Sequence, residues 1–474
     1  MPVQPPARIE DTTIELIPAA RRHGTAFDLL TLWFGGNITL LAVVNGALAT
    51  TVYGEPFWLA VLGLVTGNLI GAVFVALHSG QGPRLGIPQL IQARAQFGRY
   101  GALLVIAPVA AMYAGFLAAS LVLAGQSVSV ISAHISLTAS IIAVAAVSVL
   151  AATFGYAFIH DYAQVMAYAA GTVLLLAFAW IVAAHHLVAN FWQSGQPGLA
   201  GFTATVTVAA LWQLTYTPSV SDYSRYLPAD TSGRQAFWAS YAGSALGSIL
   251  PMALGAVVGI QSSDVLGGLT MLAHGIIALV LIIFTMSIVT TCAMNLYSGA
   301  LSLITAGQAV FTGWLPKATT RAVFAVVIAA LAAVVAIGSQ QHFLVTYTNF
   351  ILLLMYVVVP WTAINLTDYY LVRRGGYDVR QLFLRNGGYG RFNLAGIICY
   401  LAGIAVEVPF VNTAVYEGPA ATALSGMDIS WIVCLAVVTP VYYLAARRGR
   451  TAPPGTQDST SMRNIYLTTD GGAG

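Results

Sequence analysis

Two stretches decide how this chain folds: Trp33-Phe-Gly-Gly-Asn37 and Trp212-Gln-Leu-Thr-Tyr-Thr-Pro-Ser219. Each lies inside an apolar run long enough to cross a bilayer, and each is a poor helix. Paired glycines weaken a helix, and Pro218 removes a backbone hydrogen bond and frees a carbonyl. Bare backbone at membrane depth is tolerated only where it lines a cavity or meets a bound ion. The blander reading is a proline kink beside a glycine-rich packing face.

The solvent around these stretches follows from composition. Lys and Arg number 19 and Asp and Glu 16, so 7% of 474 residues are charged while 58% are apolar. A soluble domain wets its surface with roughly a quarter charged residues. Most of this surface therefore faces lipid, and the chain is expected to be an all-α polytopic membrane protein. A net charge of +3, spread along the chain, points to no nucleic-acid partner. Cys292, Cys399 and Cys434 lie far apart in apolar runs and are expected to be reduced packing residues, with no disulfide framework or metal site. The first apolar run is too long for a signal-peptide core, so no cleavable signal is expected.

About twelve segments reach spanning length: 28–51, 57–78, 101–130, 135–158, 162–188, 202–226, 236–260, 270–306, 320–338, 343–372, 392–412 and 429–446. Those at 101–130 and 270–306 exceed one bilayer width and must tilt or run on into a turn. With the N-terminus inside, all 19 basic residues fall on inner segments or tails, and the outer loops, 188–201 and 411–428 among them, hold none. This is the positive-inside rule without an exception. It implies that both termini are cytoplasmic, and the protein is expected in the plasma (cell inner) membrane. Residues 1–26 form a cytoplasmic tail, 373–391 a basic cytoplasmic loop, and 447–474 a tail whose composition predicts disorder.

The interrupted first and sixth segments are the first members of two five-helix halves, about 28–188 and 202–372. Breaks at matching places in two halves are the best sequence pointer to a transport site at an inverted-repeat interface. The patterns Gly67-Asn-Leu-Ile-Gly71, Gly243-Ser-Ala-Leu-Gly247 and Gly255-Ala-Val-Val-Gly259 let helix backbones approach closely; they speak of packing rather than function.

Several motifs, taken in order, resemble the nucleobase–cation symporter family, specifically its purine–cytosine permease branch. They are Trp33-Phe-Gly-Gly-Asn37, Gly82-Pro-Arg-Leu-Gly-Ile-Pro-Gln89 leading to Ala93-Arg-Ala-Gln-Phe-Gly98, Ser221-Asp-Tyr-Ser-Arg-Tyr-Leu-Pro228 and Asn295-Leu-Tyr-Ser298. Pro360-Trp361 followed by Asp368-Tyr-Tyr-Leu-Val-Arg-Arg-Gly375, and Gly426-Met-Asp-Ile-Ser430, complete the series. The resemblance runs from about Phe27 to Arg447. It implies a LeuT-type fold, a transport core over 27–372 with helices 1–5 and 6–10 as inverted repeats, and helices 11–12 appended over 392–446. It also implies inward movement of an uncharged nucleobase or related heterocycle (cytosine, purine, hydantoin or allantoin class), driven by sodium or protons.

A flat uncharged solute needs aromatic rings for its faces and amides, which both donate and accept, for its edge. The family's aromatic platform and polar reader on the third helix fall on Phe116 and Ser120, where many relatives carry tryptophan and an amide. Tyr216 and Trp212 are expected to supply the second aromatic, with Gln213, Asn295 and Asn37 reading the edge. For each the alternative is interhelical packing, and Asn37 has the further alternative of capping exposed backbone. The resemblance places a sodium ion between the hydroxyls of Thr290 and Thr291 and first-helix carbonyls near Phe34, Gly36 and Asn37, unless the threonines back-bond to their own helix. A proton would need a titratable group such as Glu407 or His274 instead. Asp222 stands three residues from Arg225, the spacing of a helical ion pair.

No cofactor and no obligate protein partner is expected. A LeuT-type symporter for another solute, such as an amino acid, is the first alternative, since a zwitterion would use a free helix N-terminus. A membrane-embedded enzyme would need clustered Asp, Glu or His; no HExxH-like motif occurs, and His185-His186 reads as interfacial. A channel is the third alternative, separable by saturable, ion-coupled uptake.

Overall fold

The computed structural model describes residues 10, 12–183, 187–188, 190–311, 314, 316–413 and 416–448. Arg8, His185-His186 and the tail beyond Arg448, each assigned a place above, lie outside the described residues. Within them the regular structure is helical, apart from one isolated bridge between Asn412 and Glu417.

In chain order the helices are α1 (Ala26–Asn37), α2 (Leu40–Thr51), α3 (Phe57–Ser79), α4 (Gln81–Leu85), α5 (Gln89–Phe97) and α6 (Leu103–Ile131). Then come α7 (Leu137–Phe154), α8 (Tyr156–Ala183), α9 (Leu199–Leu214), α10 (Val220–Ser224), α11 (Gly233–Gln261) and α12 (Val265–Leu272). The chain continues through α13 (Ile277–Val310), α14 (Ala318–Ser339), α15 (Phe343–Leu366), α16 (Leu394–Glu407), α17 (Pro419–Ala423) and α18 (Ser430–Arg448). Among the described residues, eight runs are long and apolar enough to cross a membrane, or nine when the bent pair α1 and α2 is one span.

All twelve apolar segments expected from the sequence contain helix, yet not all are separate full-length spans. Segments nine and ten run on as Ala318–Val372, joined by a single 3-10 turn at Gln340–His342. The eleventh is short, Leu394–Phe410. Three boundaries move. The fourth and fifth segments meet at Gly155, whose φ of +91° suits glycine, rather than across 158–162. The eighth, expected over 270–306, is two helices, and His274 lies in the turn between them rather than inside a span.

The glycine patterns explain how the bundle closes around α1 and α2. On α11, a Cβ at Gly247 would stand 2.7 Å from the Phe34 carbonyl oxygen, and one at Gly243 would overlap the Leu30 carbonyl. Eight residues on, Gly255 faces the Val43 carbonyl in the same way, and Gly259 lies against Ala47 and Thr50. One helix thus lies backbone to backbone along both halves of the bent pair. Gly67 and Gly71 of α3 do the same against Val206 and Ala210 of α9.

The Asp368-Tyr-Tyr motif acquires a reason. Thr367–Val372 is wound as a π-helix, and it turns the Asp368 carboxylate inward. There it accepts from the hydroxyl of Tyr442 at 3.0 Å, from Tyr377 and from Arg373 Nε at 3.0 Å, tying α18 to the core.

Before α1 the described residues pack against the bundle. Ile14 and Ile17 are buried, and the Ile17 N–H donates to the Gly86 carbonyl at 3.0 Å. The Glu10 carboxylate sits between two arginines that are almost wholly enclosed, Arg321 at 3.0 Å and Arg225 at 3.8 Å. It also accepts from the hydroxyls of Tyr226 and Tyr297 and from the Tyr156 N–H. The same arginines donate to the Thr13 and Thr12 carbonyls, both at 2.9 Å. Polarity alone reads this stretch as solvated; buried partners just after α10 and on α13 and α14 make it structural. Arg225 accordingly forms no side-chain ion pair with Asp222. Its Nε donates to the Asp222 backbone carbonyl, while the Asp222 carboxylate accepts from the Gln89 N–H at 3.0 Å.

Two measurements check this packing on purified protein. Glu10→Ala leaves two buried guanidinium groups uncompensated and is expected to destabilise the fold by about 3–5 kcal/mol; an unchanged thermal unfolding midpoint would refute the clasp. Gly255→Ala is expected to cost about 1–3 kcal/mol through overpacking. Gly338→Ala, where no atom lies within 4 Å of the new Cβ, should be neutral or slightly stabilising.

Candidate functional site

The break between α1 and α2 organises the site. The axes of the two helices meet at 61°, and Ile38 at the bend has φ −80° and ψ 82°, outside the helical region. The residues around the bend satisfy much of the freed backbone. Asn37 Nδ2 donates to the Trp33 carbonyl at 2.7 Å, and Thr39 caps α2 by accepting from the Ala42 N–H. Two further carbonyls are met from α13. Thr291 Oγ1 donates to the Gly36 carbonyl at 3.0 Å, and Ser287 Oγ to that of Ile38 at 2.6 Å.

The hydroxyl pair facing the bend is therefore Ser287 and Thr291. Thr290 is buried, but its hydroxyl reaches no partner. Adjacent residues on a helix point in different directions, whereas residues four apart share a face. A search for hydroxyls at that spacing from Thr291 finds Ser287.

The sixth segment is interrupted differently. It stays in right-handed dihedrals and tightens into a 3-10 turn at Thr217–Ser219. Its own hydroxyls repair the disrupted ladder: Thr215 donates to the Trp212 carbonyl at 2.7 Å, Thr217 to that of Leu214 at 2.6 Å, and Ser219 to that of Tyr216 at 2.9 Å. The expectation of two unwound spans thus holds for the first, and the sixth is a hydroxyl-braced kink.

Between these interruptions lies a narrow, closed-down cavity of about 20 Å³, room for about one water molecule. Phe116 and Tyr113 of α6, Trp212 and Tyr216 from the kink, Tyr223 of α10, and Thr291, Met294 and Asn295 of α13 form most of its wall. Leu41, Thr215 and Ser219 complete it, and no lining side chain carries a charge. The rings meet edge to face: Phe116 and Trp212 at 6.2 Å and 89°, Trp212 and Tyr216 at 5.9 Å and 84°. Such pairs engage one ring by its edge and leave that ring's faces for another partner.

Of the residues singled out from the sequence, Phe116, Trp212, Tyr216, Asn295 and Thr291 are brought together here. Ser120, Gln213 and Asn37 are not among the lining residues. Ser120 is buried beside Cys292. Gln213 Nε2 is committed to Asn68, Ser244 and Ser248, and Asn37 Oδ1 accepts from Trp212 Nε1 and Ser248 Oγ, both at 2.8 Å. Phe34 and Gly36 flank the bend, and a Cβ on Gly36 would lie 3.0 Å from the Met294 sulfur. Glu407 is buried in α16 beside Cys434 and does not line the cavity. Sequence reasoning missed Tyr113, Tyr223 and Ser287. The first stands three residues before Phe116, a spacing that was available to find it.

Comparison with known proteins agrees with this architecture. The family model described as permease for cytosine/purines, uracil, thiamine and allantoin matches residues 16–434. The Bacillus subtilis (strain 168) protein YxlA, named as a candidate purine-cytosine permease, is 37% identical over 458 residues, 96% of this chain and 99% of its own. The purine-cytosine permease fcyB of Emericella nidulans is 24% identical over 451 residues, 89% and 85% of the two chains. Among solved structures, Mhp1, a nucleobase-cation-symport-1 family transporter in a closed conformation with bromovinylhydantoin bound, matches with a TM-score of 0.78. That match covers 96% of this chain and 99% of the other at 17% identity. A Na+-coupled sialic acid symporter in an outward-open state matches at 0.59, covering 92% of each chain at 13% identity. The fold is therefore the LeuT type, and the protein is a multi-pass membrane transporter rather than an enzyme. By the extent of its matches, the chain belongs to the family of permeases for cytosine and purines, uracil, thiamine and allantoin.

Proposed function

We propose that this chain imports an uncharged nucleobase or a closely related heterocycle by cation symport with alternating access, its transport core spanning residues 27–372. The observation that carries this reading is the uncharged, ring-walled cavity beside the α1–α2 bend. Ring faces suit a flat solute at about 1–3 kcal/mol per stacked base. Asn295, half-buried, spends one N–H on the Thr291 carbonyl and keeps its carbonyl oxygen for the solute edge. A zwitterionic solute would meet no opposing charge here. Uptake of labelled cytosine, adenine, hypoxanthine, uracil, hydantoin and allantoin by expressing cells tests the reading. One of these is taken up saturably, and Phe116→Ala and Asn295→Ala each raise its KM by about tenfold or more, as expected for loss of about 1.4 kcal/mol. Normal expression with unchanged KM in both variants would overturn the site.

The coupling ion we assign is sodium, which on binding takes the place of the two hydroxyl–carbonyl hydrogen bonds that join Gly36 and Ile38 at the bend to Thr291 and Ser287 of α13. Hard oxygen ligands at an unwound helix suit that ion. Replacing external sodium by choline then stops uptake, and Ser287→Ala or Thr291→Ala raises the sodium concentration needed for half-maximal rate. Uptake indifferent to choline but stopped by a protonophore would show proton coupling instead. The asymmetric basic residues support an orientation with both termini cytoplasmic in the cell's inner or plasma membrane.

A further inference from the structure

Most hydrogen-bonding groups around the cavity already have partners. Trp212 Nε1 donates to Asn37, the Tyr223 hydroxyl to the Met294 carbonyl at 3.1 Å, and the hydroxyls of Thr215, Ser219 and Thr291 to backbone carbonyls. Their oxygens keep lone pairs, but their donors are spent. Tyr113 differs. It lines the cavity, its residue is only 3% exposed, and its hydroxyl makes no hydrogen bond. Buried polar groups in native proteins are paired in the great majority of cases, so one that is not invites an explanation.

The hydroxyl is also well placed. Tyr113 precedes Phe116 by three residues on α6, so the phenol and the ring share a helix face. Ser219, a neighbour of the phenol, gives its own proton to the Tyr216 carbonyl, so its oxygen is the one nearby acceptor for the phenolic hydrogen and the one a better-aligned substrate acceptor must outcompete. Ser120, on the turn beyond Phe116, does not line the cavity. On the permease reading above, on which this inference rests, a heterocycle lying on Phe116 presents its edge to the phenol.

We propose that Tyr113 is a specificity-determining residue, donating its phenolic hydrogen to an in-plane acceptor, a ring nitrogen or carbonyl oxygen, on the substrate edge. Substrates then share an acceptor at that place, and an analogue with C–H there is rejected. One neutral hydrogen bond of this kind is worth up to about tenfold in affinity.

The test uses purified full-length protein and expressing cells, with the best substrate of the uptake panel and its deaza analogue, in which one ring nitrogen is C–H. In the wild type the parent base binds about tenfold better than the analogue. Tyr113→Phe raises KM for the parent about tenfold, leaves maximal rate and the analogue's KM unchanged, and abolishes the discrimination. The empty variant melts no lower than wild type, because an unpaired buried hydroxyl has been removed. Tyr113→His, which keeps a ring and a donor, restores part of the preference. Unchanged KM and unchanged discrimination in Tyr113→Phe would overturn the assignment while leaving the permease reading standing. Wild-type cells that take up no member of the panel would overturn the permease reading itself and this inference with it.

Discussion

A peptide group in hydrocarbon must find a hydrogen-bond partner inside the protein, and the bend at Asn37–Thr39 is where this chain meets that demand. Opening a helix at membrane depth strands carbonyls that water cannot reach. Asn37 turns back on α1, Thr39 starts α2, and Ser287 and Thr291 supply protons from across the bundle. On the other side, α11 presents glycines, so its backbone lies against the bent pair without side chains between. The break is thus held by hydroxyls on one side and by close packing on the other. The cavity exists because neither side fills the corner between them.

Hydropathy made the helices legible and the Gly35-Gly36 pair the break in the first segment, since both depend on local composition. Partners distant in sequence were less so. Asn37 and Gln213 have the chemistry of edge readers, yet the Asn37 oxygen is occupied by Trp212 and Ser248 and the Gln213 NH2 by Asn68, Ser244 and Ser248, and neither lines the cavity. An amide looks the same in sequence whether it faces a cavity or a neighbouring helix. Thr290 and Thr291 differ by a rotation of one residue, and only the orientation of α13 against α1 selects between them. Asp222 and Arg225 have the spacing of an ion pair, but each finds its partner elsewhere, at Gln89 and Glu10.

The aromatic wall shows how a neutral site is kept neutral and yet specific. Trp212 spends its only donor on Asn37, which itself braces the bend, so the ring's position and the backbone break are mechanically one. Hydroxyls at the sixth-segment kink stabilise their own carbonyls. What remains open to a solute is chiefly ring surface and lone pairs, the reverse of what a carboxylate-bearing molecule would require.

Glu10 is separated by 311 residues from Arg321, one of the two guanidinium groups it meets. Arg321 is made 311 residues after Glu10, once the helices between them have emerged. Ile17 and Arg22 can dock early, on Gly86 and Pro83, but the Glu10 carboxylate gains its second guanidinium only with Arg321, a late stitch that closes that end of the molecule. A contact between residues so far apart cannot guide early folding; it registers that the later helices have arrived in their places.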